Sequence, residues 1–152
     1  GPDLVAQSPG PGRPEDFRMS QTLDILRKHN LPIFGVCLGL QGIVEYLGGK
    51  LALLPEPRHG KPSSIRVDGG RIFDAMPAEF TAARYHSLYA LRDGMPNVLD
   101  VTAESEDHIV MAVEHRELPI AAVQFHPESI LSIQDQLGLR LINNVVKTLA
   151  TK

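Results

Sequence analysis

Cysteine is nearly absent: Cys37 is the one thiol in 152 residues. That excludes an internal disulfide framework and any multi-cysteine zinc site, and leaves either a buried thiol or a nucleophile. Charge of one sign is also missing. Fifteen basic residues against 18 acidic ones give a net charge of −3, which carries no electrostatic footprint for nucleic acid or an anionic membrane. No apolar run approaches the ~20 residues of a membrane span, and the first residues lack the charged-then-apolar order of a secretory signal. Neither a repeat, a low-complexity tract nor a composition break divides the chain. The expectation is a cytoplasmic protein with no membrane or nucleic-acid partner, forming a single domain over residues 1–152. A hydrophobic share of 43% with 22% charged residues is that of a globular chain.

What is present is an alternation of element types. Asp3–Gln7 reads as a short strand, followed by the Pro- and Gly-rich loop Ser8-Pro9-Gly10-Pro11-Gly12-Arg13-Pro14. From Glu15 to His29, Phe17, Met19, Leu23 and Leu26 recur at roughly helical spacing, with acids early and Arg27, Lys28 and His29 late, the order that complements a helix dipole. Pro32–Val36 is uniformly apolar, as for a strand buried on both faces, and Leu38–Leu47 reads as a helix stopped by Gly48-Gly49. Ser64–Val67, Thr81–Tyr85, Val98–Thr102 and Val110–Glu114 are short and rich in β-branched residues, with turn signals between them. Ile120–Phe125 reads as another buried strand. Gln134–Leu149 closes as an amphipathic helix with Leu137, Leu141, Val145 and Leu149 on one stripe. This order predicts an α/β fold: an open, mostly parallel sheet with helices on both faces, plus a smaller antiparallel β portion.

The strongest local signal is Gly35-Val36-Cys37-Leu38-Gly39, the thiol form of a G-x-S-x-G nucleophile elbow, set between a buried strand and a helix. A sharp strand-to-helix turn needs flanking positions without side chains, and it places the sulfur at a helix N-terminus, where thiolate is favoured. The plain alternative is that Cys37 is a small buried hydrophobe. A nucleophilic thiol needs a base, and among six histidines His126 stands out. It follows the second buried strand, so it shares with Cys37 the carboxyl end of the sheet, where sites form in open α/β folds. Glu128, two residues on, has the reach to orient the imidazole; the alternative is an exposed histidine and a solvated glutamate. The amide of Leu38 is a natural oxyanion donor, and the Ser8–Gly12 loop offers another.

Three separated motifs now carry a resemblance: Ser8-Pro9-Gly10-Pro11-Gly12, Gly35-Val36-Cys37-Leu38-Gly39-Leu40-Gln41, and Gln124-Phe125-His126-Pro127-Glu128-Ser129. In this order they resemble the triad-type, or class I, glutamine amidotransferases. His59-Gly60-Lys61, Arg84-Tyr85-His86-Ser87-Leu88 and Ala103-Glu104-Ser105 bring the likeness closest to the amidotransferase component of anthranilate synthase and its relative in aminodeoxychorismate synthesis. The resemblance implies Cys37 as nucleophile, His126 as acid and base, and Glu128 as its orienter. It implies Gly10 and Leu38 as oxyanion donors, and Gly10, Pro11, Gly12, Gln41, Ser87 and Leu88 as the residues holding glutamine. It calls for no cofactor and no metal.

The implied function is a glutaminase that delivers ammonia to a chorismate-using synthase, present as a subunit or a fused domain, in tryptophan biosynthesis. Folate-pathway aminodeoxychorismate synthase and a non-catalytic synthase-binding domain are the alternatives. A cysteine hydrolase acting on a γ-glutamyl substrate without a synthase would use the same triad. Members of the family normally begin with a further strand, helix and strand, which this sequence lacks, so it is expected to be an N-terminally shortened version. The sheet edge so uncovered is then a place for self-association.

Overall fold

A computed structural model describes residues 31–55, 61–74, 76–84, 86, 88–125, 130 and 137–150, with the backbone of Val5–Gln7 and the isolated helical positions Asp24 and Lys28. In chain order the elements are β1 (Val5–Gln7), β2 (Ile33–Val36), helix α1 (Leu38–Tyr46), β3 (Leu51–Leu53), β4 (Lys61–Val67), β5 (Glu79–Arg84), β6 (Leu88–Ala90), β7 (Leu99–Ser105), β8 (Val110–His115), β9 (Ile120–Val123) and helix α2 (Leu137–Ala150).

Seven strands form one sheet in the order β1-β2-β9-β8-β7-β4-β5, and β3 pairs with β6 in a second, two-stranded sheet. The β1–β2 and β2–β9 pairings are parallel. The β8–β9, β7–β8, β4–β7 and β4–β5 pairings are antiparallel. The expected α/β class holds, but among the described residues the main sheet corrects the expectation of a mostly parallel one: its antiparallel part is continuous with the parallel part and is the larger. The reason lies in the connections. Only residues 106–109 join β7 to β8, and 116–119 join β8 to β9; links this short permit antiparallel neighbours only, whereas a parallel return needs a crossover of a dozen residues or more.

Strands β2 and β9 are buried along their whole length, as their uniformly apolar sequences predict. Their side chains alternate between two cores. Ile33, Ile120 and Ala122 pack with Leu40, Ile43 and Val44 of α1. Phe34, Val36, Ala121 and Val123 pack with Leu141, Val145 and Leu149 of α2. Helices therefore cover both faces, and each fully buried leucine or isoleucine contributes about 1.5–3 kcal/mol relative to exposure. Helix α1 stops where Gly48 takes a positive φ of 102° and the amides of Gly48 and Gly49 return to the carbonyls of Glu45 and Val44.

Two strands escaped the sequence reading. Leu51–Leu53 and Leu88–Ala90 pair antiparallel, with Leu53 opposite Leu88; three residues of mainly Leu and Ala give no β-branched signal. Of the expected helix over 15–29, all but Asp24 and Lys28 lies outside the described residues; those two are helical, and the Tyr46 hydroxyl donates to the Asp24 carboxylate at 2.5 Å. No helix among the described residues is long and apolar enough to cross a membrane.

Candidate active site

Between the end of β2 and the start of α1 stands a single residue, Cys37. Its φ of 57° and ψ of −105° lie in a region that non-glycine residues rarely enter, and such strain persists only where the surroundings impose it. Those surroundings are visible. The Cys37 amide donates to the Val123 carbonyl at 2.9 Å, extending the β2–β9 pairing by one step. Its carbonyl accepts from the amides of Leu40 (3.1 Å) and Gln41 (3.4 Å), which begins α1. Gly35 makes the turn possible through space rather than conformation. A β-carbon there would lie 2.7 Å from the carbonyl carbon of Gly39 and 2.8 Å from Cδ1 of Ile43. The first glycine of the motif thus answers to a close approach of helix to strand.

The thiol is partly exposed and stands at the N-terminus of the nine-residue helix α1, whose first turn holds no acidic side chain. The positive end of the helix dipole favours an anion there. The turn therefore supplies a thiol with access, a thiolate-favouring field and, in the Leu38 amide just after it, a donor suited to a developing oxyanion.

Beneath the sulfur lies a row of buried amides. The Gln124 side chain, fully buried, donates from Nε2 to Cys37 Sγ at 3.7 Å. Gln41, also buried, donates from Nε2 to Gln124 Oε1 (3.3 Å) and to the Leu88 carbonyl (3.1 Å). The structure thus brings together three of the residues singled out from sequence, Cys37, Gln41 and Leu88, and places the side-chain amide of Gln41 inside the fold. Gln124 was missed as a site residue. The available signal was a lone amide in the otherwise apolar Ile120–Phe125 run, at the position that follows the β-partner of Val36. Gly10, Pro11, Gly12, Ser87, His126 and Glu128 lie outside the described residues.

A second polar cluster supports Leu88. Arg84 is wholly buried and donates from Nη1 to both carboxylate oxygens of Asp107 (2.9 and 3.1 Å) and to Ser63 Oγ (3.2 Å). Its Nε donates to His86 Nε2 at 3.0 Å. Arginine has no acceptor, so that imidazole nitrogen must accept, and the proton belongs on Nδ1, which lies 2.7 Å from the Leu88 carbonyl. Leu88 is held by both His86 and Gln41. Burial acts to raise the Asp107 pKa, but the Ser105 hydroxyl and the charge and hydrogen bonds of Arg84 outweigh it and hold the carboxyl below its ordinary value.

The molecule's sequence matches the family model "Glutamine amidotransferase class-I" over residues 1–145. It is 59% identical over 149 residues to an anthranilate synthase of Azospirillum brasilense, covering 98% of this chain and 20% of that one. It is 44% identical to anthranilate synthase component 2 of Methanocaldococcus jannaschii, covering 97% of this chain and 76% of the relative. An aminodeoxychorismate synthase of Streptomyces griseus is 46% identical over 93% of this chain and 19% of its own length. The chain thus spans about a fifth of two of these relatives and three quarters of the other. Among solved structures, one described as a GMP synthase subunit of Thermoplasma acidophilum superimposes with a TM-score of 0.85 at 25% identity, covering 99% of this chain and 74% of that one. A glutamine amidotransferase of Thermotoga maritima gives 0.70 at 16% identity, over 95% and 61%, and shares the fold. With the thiol turn, the two-faced sheet and the family match in agreement, the chain belongs to the class I glutamine amidotransferases.

Proposed function

We propose that this domain is the glutaminase module of a chorismate-aminating synthase, with anthranilate synthase of tryptophan biosynthesis as the assembly it serves. The observation that carries the reading is Cys37 itself: a partly exposed thiol, held at a positive φ on a one-residue turn, at the N-terminus of a helix. A merely structural cysteine needs none of these features, and all three serve a nucleophile.

In the proposed reaction the Cys37 thiolate forms a bond to the side-chain amide carbon of glutamine, and the carbonyl electron pair moves onto oxygen. The backbone amides of Leu38 and Gly10 receive that oxyanion. Protonated His126 gives its proton to the amide nitrogen as the C–N bond breaks, so ammonia leaves and a thioester remains. His126 then takes a proton from water, the oxygen bonds to the thioester carbon, and the C–S bond breaks with its electron pair on sulfur. Glutamate and the starting thiolate result. Glu128 orients the imidazole. Gly10, Pro11, Gly12, Gln41, Ser87 and Leu88 hold the amino-acid end of glutamine, Gln41 and Leu88 through the buried pair they form. His126 follows Gln124 by two residues, a reach of at most about 7 Å, and the carbonyl of Val123 already bonds the Cys37 amide; both support the pairing of thiol and base. Ammonia passes to the synthase, whether that is a separate chain or a fused domain.

In the assembled synthase, Cys37→Ser is expected to abolish glutamine-dependent product while leaving ammonia-dependent product largely intact, because ammonia is used on the partner. Glutamine-dependent synthesis at a comparable rate would remove the nucleophile assignment. The Streptomyces griseus relative supports aminodeoxychorismate as a second reading, and chromatography of the product made from chorismate separates the two.

A further inference from the structure

We propose that Gln124 is a hydrogen-bond donor to the nucleophile, and that Gln41 is the positioning residue that makes it one. The inference rests on the glutaminase reading above. An amide side chain presents an acceptor oxygen on one side and a donor NH2 on the other, and the wrong face toward a thiolate would repel it. Here the sense is dictated from outside the pair. The backbone carbonyl of Leu88 can only accept, so the group Gln41 turns toward it at 3.1 Å must be its NH2. The same nitrogen lies 3.3 Å from Gln124, and a second N–H can face only an acceptor. Gln124 must therefore present Oε1 to Gln41 and Nε2 to Cys37 Sγ, 3.7 Å away.

Both glutamines are essentially removed from water, at 2% and 0% exposure. The orientation is consequently not open to exchange with solvent, and hydrogen bonds in such surroundings are stronger than in water. A donor fixed on the sulfur serves whenever that atom carries negative charge: before attack, and again when the thioester C–S bond breaks. It is a contact to the sulfur from beneath, separate from the helix N-terminus that the thiol already occupies.

The test uses the complete synthase assembly and two variants, Gln124→Met, which keeps length but cannot donate, and Gln124→Asn, which keeps the amide but withdraws it by one methylene. Each is assayed for melting temperature, for the rate of Cys37 alkylation by iodoacetamide at neutral pH, and for glutaminase kcat and KM. The expected result for a variant that melts like the parent is a loss of about tenfold in both alkylation rate and kcat, with KM changed less than twofold. Gln41→Met is expected to lower alkylation in the same direction. Parental alkylation and kcat in a folded variant would overturn the proposal, as would an effect confined to KM. Failure of both Gln124 variants to fold would overturn it too, by making Gln124 a structural residue. Cys37→Ser in parallel keeps the two readings apart. If that variant still uses glutamine the glutaminase reading fails, whereas if it is dead and the Gln124 variants are normal only this inference fails.

Discussion

Gly35 and Gly39 meet across the thiol turn so closely that a β-carbon on Gly35 would stand 2.7 Å from the Gly39 carbonyl carbon and 2.8 Å from its oxygen. These are backbone atoms and cannot swing aside, so relief requires α1 to move away from β2. Gly35→Ala is expected to cost about 1–3 kcal/mol, the usual range for overpacking, and to reduce glutaminase activity far more than that loss of folded protein would explain. Thermal melting together with turnover per folded molecule checks both halves. A variant with parental turnover would show that the turn tolerates a displaced helix.

Arg84 is the most buried charge in the described structure, and Asp107 is its carboxylate partner. Removing one member of a fully buried pair costs about 3–5 kcal/mol. Because the Asp107 side chain is 33% exposed, Asp107→Ala is expected at or below the lower end of that range. The KM for glutamine should rise with it, since Arg84 anchors His86 and His86 anchors Leu88. Chemical denaturation and steady-state kinetics measure the two effects, and an unchanged denaturation midpoint would show that water replaces the carboxylate.

Acid is expected to destabilise the domain through two carboxylates. Burial acts to raise the Glu104 pKa, but the hydrogen bond and charge of Arg92, with the charges of Arg66 and His108, hold it below the ordinary 4.5. Asp107 is likewise held below 3.8. A folded-state pKa below the unfolded one means stability that is fully present above the unfolded value and lost as pH falls through the folded one. Melting temperature should therefore decline below about pH 4.5, and the decline should be shallower in Glu104→Gln. An equally steep acid limb in that variant would remove Glu104 from the account.

At the opposite end of β9 from Cys37, Glu114 is buried and accepts from the amides of Arg71 (3.0 Å) and Ile72 (3.5 Å). Glu114→Ala leaves those amides without their acceptor and is expected to destabilise by about 1–3 kcal/mol. Turnover per folded molecule should be unchanged. A fall in turnover would reveal a coupling between the two ends of the sheet.

The thiol turn was legible because its demands are local. A strand, a helix and their close approach leave their mark in Gly35, two residues ahead of the cysteine. The buried strands β2 and β9 were legible from their unbroken apolar runs, and the stripe of Leu141, Val145 and Leu149 from its spacing. Strand direction was not, since Val110–His115 reads alike in a parallel or an antiparallel sheet, and only the shortness of its connections decides. Gln124 was hidden for another reason. Its partners, Cys37 and Gln41, stand 87 and 83 positions away, and no window along the chain displays such a pairing.

That separation has a consequence for when the site can exist. A ribosome adding about 5–20 residues per second needs roughly 4–17 s to pass from residue 37 to residue 124. During that interval the thiol has been made but the strand that supplies its Val123 and Gln124 contacts has not. Pairing β2 with β9 closes a long loop, a kind of step that is intrinsically slow because its entropy must be met before its contacts form. A nascent chain ending short of β9 therefore carries the proposed nucleophile without its geometry, and on the glutaminase reading the onset of chemistry is tied to completion of the sheet rather than to appearance of the cysteine.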